Sequence, residues 1–182
     1  MTPKKINANP GDPGKSALLV IDVQRDLFAQ KTPIYREETL IANILDLVDR
    51  AHRAGVPVIY IQHHSDDFLV KGSEGWQLHA ELHPQPEDYK VFKEHSNAFE
   101  EEAMGELLIS LGVGRLVVTG LVTHGCVKNN CLGGLKEGYQ VVLAGDTHSN
   151  FSKDAAALIE KWNKTLADQG VAVVNTADVH FN

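Results

Sequence analysis

Asp22, Lys93 and Cys126 are the residues whose types would make a covalent catalyst in this 182-residue sequence. A carboxylate moves protons, an ammonium holds negative charge nearby, and a thiolate attacks an electrophilic carbon. Each stands at or just past a short apolar run, in LLVID, YKVFK and GLVTHGC. In an open α/β sheet the carboxyl ends of the strands gather the ligand crevice, so residues far apart in sequence can meet there. Each also has a plainer role open to it. Cys126 could be a small core side chain, Asp22 a cap or a structural acceptor, and Lys93 a solvated lysine.

The segment GLVTHGCV leads from a buried strand into a helix and puts Cys126 in the first turn. Unpaired N–H groups and the helix dipole favour an anion there, so the thiol pKa is expected to fall. The same N–H groups could hold an oxyanion on an attacked carbonyl. Asp22 would take the thiol proton. Lys93 beside it would hold the carboxylate and lower the thiol pKa further.

Positioning these groups takes strands and helices in alternation. Strand-like runs cover residues 17–22, 57–62, 89–93, 115–121, 139–145 and 171–174. They are short and nearly all apolar, as strands covered on both faces are. Helical spacing appears at Leu40, Ile44, Leu47, Val48 and Ala51, and over residues 98–111, 125–137 and 153–168. Glycines 55, 112, 138 and 170 stand at the expected stops. Right-handed crossovers then give a single-domain, three-layer α/β fold, a parallel sheet of about six strands with helices on both faces. Residues 63–88 break the pattern, with four histidines and a GSEGW turn, and are expected to form a pocket wall or lid.

A formal net charge of -7 without a basic block argues against nucleic-acid or membrane partners and for a small-molecule substrate. Residues 1–15 are rich in Pro and Gly and lack an apolar stretch, so they read as a flexible lead to a domain over 16–182. A cytoplasmic protein is expected. Cys126 and Cys131 on one helix have Cα atoms roughly 8 Å apart, beyond the usual disulfide span of about 7 Å, so both should be free thiols.

The segments IDVQRDLF, KEHSNAF, GLVTHGCV and GYQVVLAGDTHS, in this order, resemble those of the isochorismatase-like cysteine hydrolases. That family includes nicotinamidases, N-carbamoylsarcosine amidohydrolases and related amidases, and the match runs over roughly residues 16–174. The resemblance implies an Asp–Lys–Cys triad falling on Asp22, Lys93 and Cys126. It also implies a cis peptide between Val122 and Thr123 that turns the N–H groups of Thr123 and Cys126 toward a substrate oxygen, and a homodimer or homotetramer. Where many relatives have a threonine and an arginine, this chain has Asn130 and Leu132, followed by Gly133 and Gly134, which bears on subunit contacts and substrate class.

Nicotinamidases of this family hold a metal after the second strand, and His63, His64, Asp66, Asp67, His79 and His83 lie in that region. The Asp-x-His step is absent, replaced by Gln62–His63–His64–Ser65, and His79 and His83 would need a helix to converge. No metal and no other cofactor is expected. Phe28, Trp76 and His124 are candidate substrate contacts. Cys131, about 140° around the helix from Cys126, is assigned to packing. Gln24 is expected to orient loops, Asp26 to be a surface or cap residue and Asp146 a structural cap, while His148 has no assigned role. The chemistry expected is hydrolysis of a small amide or related C–N bond through a thioester. An isochorismatase-type vinyl-ether hydrolase and a catalytically silent binding or assembly protein are the alternatives.

Overall fold

The computed structural model describes residues 10–181. Six strands form one sheet: β1 (Asp12–Ile21), β2 (Val58–His63), β3 (Tyr89–Lys93), β4 (Val113–Leu121), β5 (Gln140–Ser149) and β6 (Ala172–Val174). All neighbouring strands are parallel, in the order β3-β2-β1-β4-β5-β6. The chain winds outward from β1 to β3, returns to β4 on the other side of β1, and winds outward again. The reversal of winding falls between β1 and β4, and Asp22 and Cys126 follow the carboxyl ends of these two strands.

Helices α1 (Arg25–Phe28), α2 (Glu37–Arg53), α3 (Glu102–Leu111), α4 (Lys128–Lys136) and α5 (Ala155–Asp168) complete the layers. Alternate residues of each strand serve opposite faces, as the pleat requires. Leu18 and Val20 pack on one side with Ile41, Ile44 and Leu47 of α2. Leu19 and Ile21 pack on the other with Met104 and Leu108 of α3, Cys131 of α4 and Leu166 of α5. Each Leu or Ile so buried contributes about 1.5–3 kcal/mol. In α2, Glu37 and Glu38 open the helix while Arg50, His52 and Arg53 close it, which complements its dipole.

The structure moves several expected boundaries. β1 begins at Asp12, paired with Val113 of β4, so residues 12–15 belong to the sheet and not to a lead. A strand can run on there because its edge residues face solvent and need no apolar pattern. Residues 1–9 lie outside the described residues. The helix expected over 98–111 is split: Ala98–Glu100 is a 3-10 turn capped by the Asn97 side chain, and α3 follows. Gly125, with φ -111 and ψ -111, breaks the helix expected from residue 125, so Thr123–Val127 forms its own tight turn and α4 starts at Lys128. β5 runs to Ser149, past a register shift between Val118 and Gly120 of its partner β4. Apolar composition stops before Thr147, His148 and Ser149, yet all three are buried.

Residues 64–88 form one long connection over the carboxyl edge. Gln24 and Leu78 make an isolated antiparallel bridge, and the His79 N–H donates to the Val23 carbonyl at 2.8 Å, so the segment is pinned just after β1. Among the described residues no helix is long and apolar enough to cross a membrane.

Candidate active site

Asp22 ends the first strand in a left-handed conformation, φ 51, which Asp tolerates better than most side chains. Its N–H still donates to the Ile61 carbonyl at 2.8 Å, extending the β1–β2 ladder by one bond. At the same level Gly120 of β4 takes φ 120, and a Cβ there would fall on the Ile21 backbone. Only glycine lets β4 approach β1 this closely where both functional segments begin.

Lys93, the last residue of β3, is fully buried. Its Nζ donates to Asp22 Oδ2 at 2.8 Å and to Cys126 Sγ at 3.3 Å, and lies 3.4 Å from His63 Nδ1. An ammonium has three donors and no acceptor, so these three partners use its full capacity and make Nδ1 of His63 an acceptor. Burial and then the Lys93 charge lower the His63 pKa, which keeps that ring neutral. Asp22 is also buried, and its Oδ1 has no hydrogen-bond partner. A carboxylate oxygen left bare beside a thiol is a ready proton acceptor.

The Cys126 thiol is pushed up to about 12, first by burial and then by the negative charge of Asp22, with Lys93 opposing. The expected fall is therefore corrected. A helix start was expected to dominate, but Cys126 lies in the separate turn before α4, half-buried and facing a carboxylate. At rest the group is a thiol, with the Asp22 carboxylate and the Lys93 ammonium as its charged neighbours.

The cis peptide is Leu121–Val122, one bond before the expected position. Val122 is an ordinary extended cap with φ -100 and ψ 151, and its carbonyl accepts the N–H groups of Gly125 and Val127. The N–H that follows the cis bond is therefore that of Val122, and not that of Thr123 as expected. One turn past Cys126, the buried Asn130 side chain donates to the Cys126 carbonyl at 2.8 Å and the Ser96 carbonyl at 3.1 Å, and accepts from the Ala98 N–H at 2.9 Å. It ties the segment after Lys93 to the helix after Cys126.

Asp22, Lys93 and Cys126 thus come together, while the expected substrate contacts scatter around them. Trp76 is partly buried, with its ring 5.3 Å from that of Phe92. Its carbonyl accepts Nε2 of Gln24 at 2.9 Å and of Gln62 at 3.0 Å, so the GSEGW turn is held over the strand ends. Gln24 also receives the His63 N–H at 2.8 Å and so orients two loops. Phe28 packs on His79, ring centroids 4.6 Å apart, and His124 is exposed. Asp146 caps the turn Thr176–Asp178, accepting from the Thr176 N–H and hydroxyl at 2.8 and 2.7 Å. Asp26 packs under Gly75.

The donors considered for a metal do not converge. His63 serves Lys93, His64 lies 4.0 Å from Glu94, His79 lies 3.9 Å from Glu37, Asp66 and Asp67 are exposed, and residues 79–83 are not helical. Among the described residues no group of three or more His, Cys, Asp or Glu is arranged to hold a metal ion. His63 Nδ1 is turned to the Lys93 ammonium and the other donors lie apart from it, so the set as placed does not fit a metal.

Sequence reasoning missed the bonds of Gln62, Asn130, Asn150 and His148. Their common mark is a polar side chain beside an apolar run or inside a helix start, where a buried amide or imidazole must find partners.

A parallel sheet with a cysteine, a carboxylate and a lysine at its switch point defines an α/β protein equipped for nucleophilic chemistry. The chain belongs to the isochorismatase family, whose Isochorismatase domain model matches residues 16–178. It is 31% identical over 142 residues to a streptothricin hydrolase of Streptomyces noursei, a match covering 77% of this chain and 56% of that protein. The chain spans about half the length of the streptothricin hydrolases it matches. It is also 30% identical over 186 residues to the ureidoacrylate amidohydrolase RutB of Pseudomonas syringae pv. syringae (strain B728a), covering 79% of this chain and 76% of that protein. The crystal structure of an isochorismatase from Pseudomonas putida KT2440 shares the fold, with a TM-score of 0.84, 24% identity and coverage of 94% and 93% of the two chains.

Proposed function

We propose that this protein is a cysteine-dependent hydrolase of a small amide or related C–N bond. The observation that carries the reading is Lys93 Nζ placed 2.8 Å from Asp22 Oδ2 and 3.3 Å from Cys126 Sγ, with Asp22 Oδ1 bare. Two relatives, one named a streptothricin hydrolase and the other the ureidoacrylate amidohydrolase RutB, support a hydrolase, the second of an amide.

In this mechanism Asp22 takes the Cys126 proton as sulfur bonds to the carbonyl carbon and the carbonyl π electrons move to oxygen. The Cys126 N–H, within the turn Thr123–Val127, holds that oxyanion. Its collapse breaks the C–N bond, and the leaving nitrogen takes the proton from Asp22. Water then gives a proton to Asp22 and attacks the thioester, and the acid leaves as the thiol is restored. Lys93 remains an ammonium throughout and offsets the charge on Asp22 and on the sulfur. Phe28, Trp76 and His124 remain the candidate substrate contacts. The scheme uses no metal or cofactor, and the enzyme acts as a cytoplasmic homo-oligomer.

Intact mass spectrometry and ammonia release with a panel of small primary amides test this. An acyl adduct on Cys126, with release abolished in Cys126→Ala, is expected. Normal release by that variant would overturn the nucleophile, and stoichiometric zinc in the purified protein would overturn the metal-free scheme.

A further inference from the structure

His148 is a buried titratable side chain that the proposed reaction does not use. Both ring nitrogens are engaged: Nε2 lies 2.8 Å from Asn163 Oδ1 and Nδ1 lies 3.0 Å from Thr123 Oγ1. The neighbours assign the proton. Asn163 Nδ2 donates to the Gly145 carbonyl at 3.0 Å, which turns Oδ1 toward the ring. Nε2 therefore carries the hydrogen, and Nδ1 is an acceptor. The Thr123 hydroxyl must donate to Nδ1, while its oxygen receives Asn150 Nδ2 at 3.4 Å. Every link from Gly145 through Asn163, His148 and Thr123 to Asn150 has one consistent direction.

Thr123 is the first residue of the turn that carries Cys126. We propose that His148 is a positioning residue, its neutral Nε2–H form fixing the Thr123 hydroxyl and thereby holding the turn Thr123–Val127, so that the Cys126 N–H keeps its aim at the substrate oxyanion. This rests on the cysteine-hydrolase reading above. Protonation would make Nδ1 a donor and break the bond to Thr123. Burial lowers the His148 pKa, while the Asn163 bond and the Asp146 charge act the other way. The other charged groups lining the same cleft of about 450 Å³ are Glu160 on α5 and Arg36 ahead of α2.

An aim needed only by the oxyanion affects the transition state more than substrate binding. His148→Ala and Thr123→Val are each expected to lower kcat about 10- to 100-fold, with KM nearly unchanged. The double variant should lose no more than either single one, because both break the same link. Thr123→Ser and His148→Asn should recover most of the activity, since the first keeps the hydroxyl and the second an acceptor near the Nδ1 position. His148→Asn should also lose the acid limb that His148 protonation gives the wild-type kcat profile, which a purely structural role would not move.

A second readout needs no substrate. Acetaldehyde takes the Cys126 sulfur at its carbonyl carbon, with the S–C bond forming, the π pair moving to oxygen and the thiol proton passing to Asp22, so the adduct carries an oxyanion. The dissociation constant of this hemithioacetal should rise about 10-fold or more in His148→Ala, the lower end of what an oxyanion donor supplies, with circular dichroism confirming the fold. Should His148→Ala fail to fold, His148→Asn and Thr123→Val carry the test. Unchanged kcat and acetaldehyde binding, a loss confined to KM, or multiplicative losses in the double variant would overturn the positioning role. Ammonia release or acetaldehyde binding that survives in Cys126→Ala would instead overturn the cysteine reading.

Discussion

Cys126 and Cys131 lie five residues apart, and both thiols are pushed up to about 12. The causes differ. Around Cys131, which is fully enclosed between α4 and the sheet, burial acts alone. Around Cys126 burial is joined by the Asp22 charge and opposed by Lys93. Resting acidity thus fails to separate the packing thiol from the proposed nucleophile. What separates them is the company of Cys126, a carboxylate with one bare oxygen and a cation that donates to its sulfur.

The sharpest way to break this comparison is to delete each sulfur in turn. Cys126→Ala should lower ammonia release by about 10⁴-fold or more, as loss of a nucleophile does. Cys131→Ala should leave kcat within about twofold and cost about 1 kcal/mol of stability in urea unfolding, a small core deletion. Equal activity losses in the two variants would remove the distinction.

Asp22→Asn separates acidity from catalysis. Asn is also at ease with φ 51, so the backbone should hold. Turnover should fall about 10³-fold for want of a base. Removing the negative charge should at the same time lower the Cys126 pKa, so iodoacetamide should alkylate Cys126 faster than in the wild type, read by peptide mass. Cys131 should react no faster. Slower alkylation of Cys126 would show that Asp22 activates the resting thiol and does not suppress it.

Lys93→Met addresses the cation. Taking one partner from a fully buried ion pair costs about 3–5 kcal/mol, because the remaining carboxylate is uncompensated. The urea midpoint should fall accordingly. The Cys126 pKa should rise further, slowing alkylation, while Cys131 is unaffected. A stability loss under 1 kcal/mol would mean that Asp22 takes up a proton when Lys93 is gone.

Much of this was legible before the structure, and for one reason: the apolar runs mark strands, and Asp22, Lys93 and Cys126 each stand at a strand's carboxyl end. The sheet follows from that pattern, and the order of the four family-like segments marks which of its strand-end residues meet. Illegible were groups whose role depends on partners distant in sequence. Asn130 looks like an ordinary helix residue until Ser96 and Ala98 fold onto it. His148 sits past the point where β5 stops being apolar, and its meaning comes from Thr123 and Asn163. The thiol pKa departs from the helix-start expectation because Gly125 breaks the helix and leaves burial to dominate.

The smallest expected effect concerns pH and stability. His148 is held neutral, with its pKa below the usual value of 6.5. Between about pH 6.5 and that lower value the unfolded chain binds a proton that the folded protein refuses. Stability therefore rises with pH across this window, by at most about 1.4 kcal/mol per pH unit for one proton, and levels off above it. His63, also lowered, adds a slope of the same sign. His148→Asn should flatten the decline seen in urea unfolding as pH falls below about 6.5, leaving only what His63 and other groups contribute. The thiols take no part, since both stay protonated throughout this range. An undiminished slope in the variant would mean that His148 accepts its proton in the folded protein as readily as in the unfolded chain, and the hydrogen bond from Thr123 could not then depend on a neutral ring.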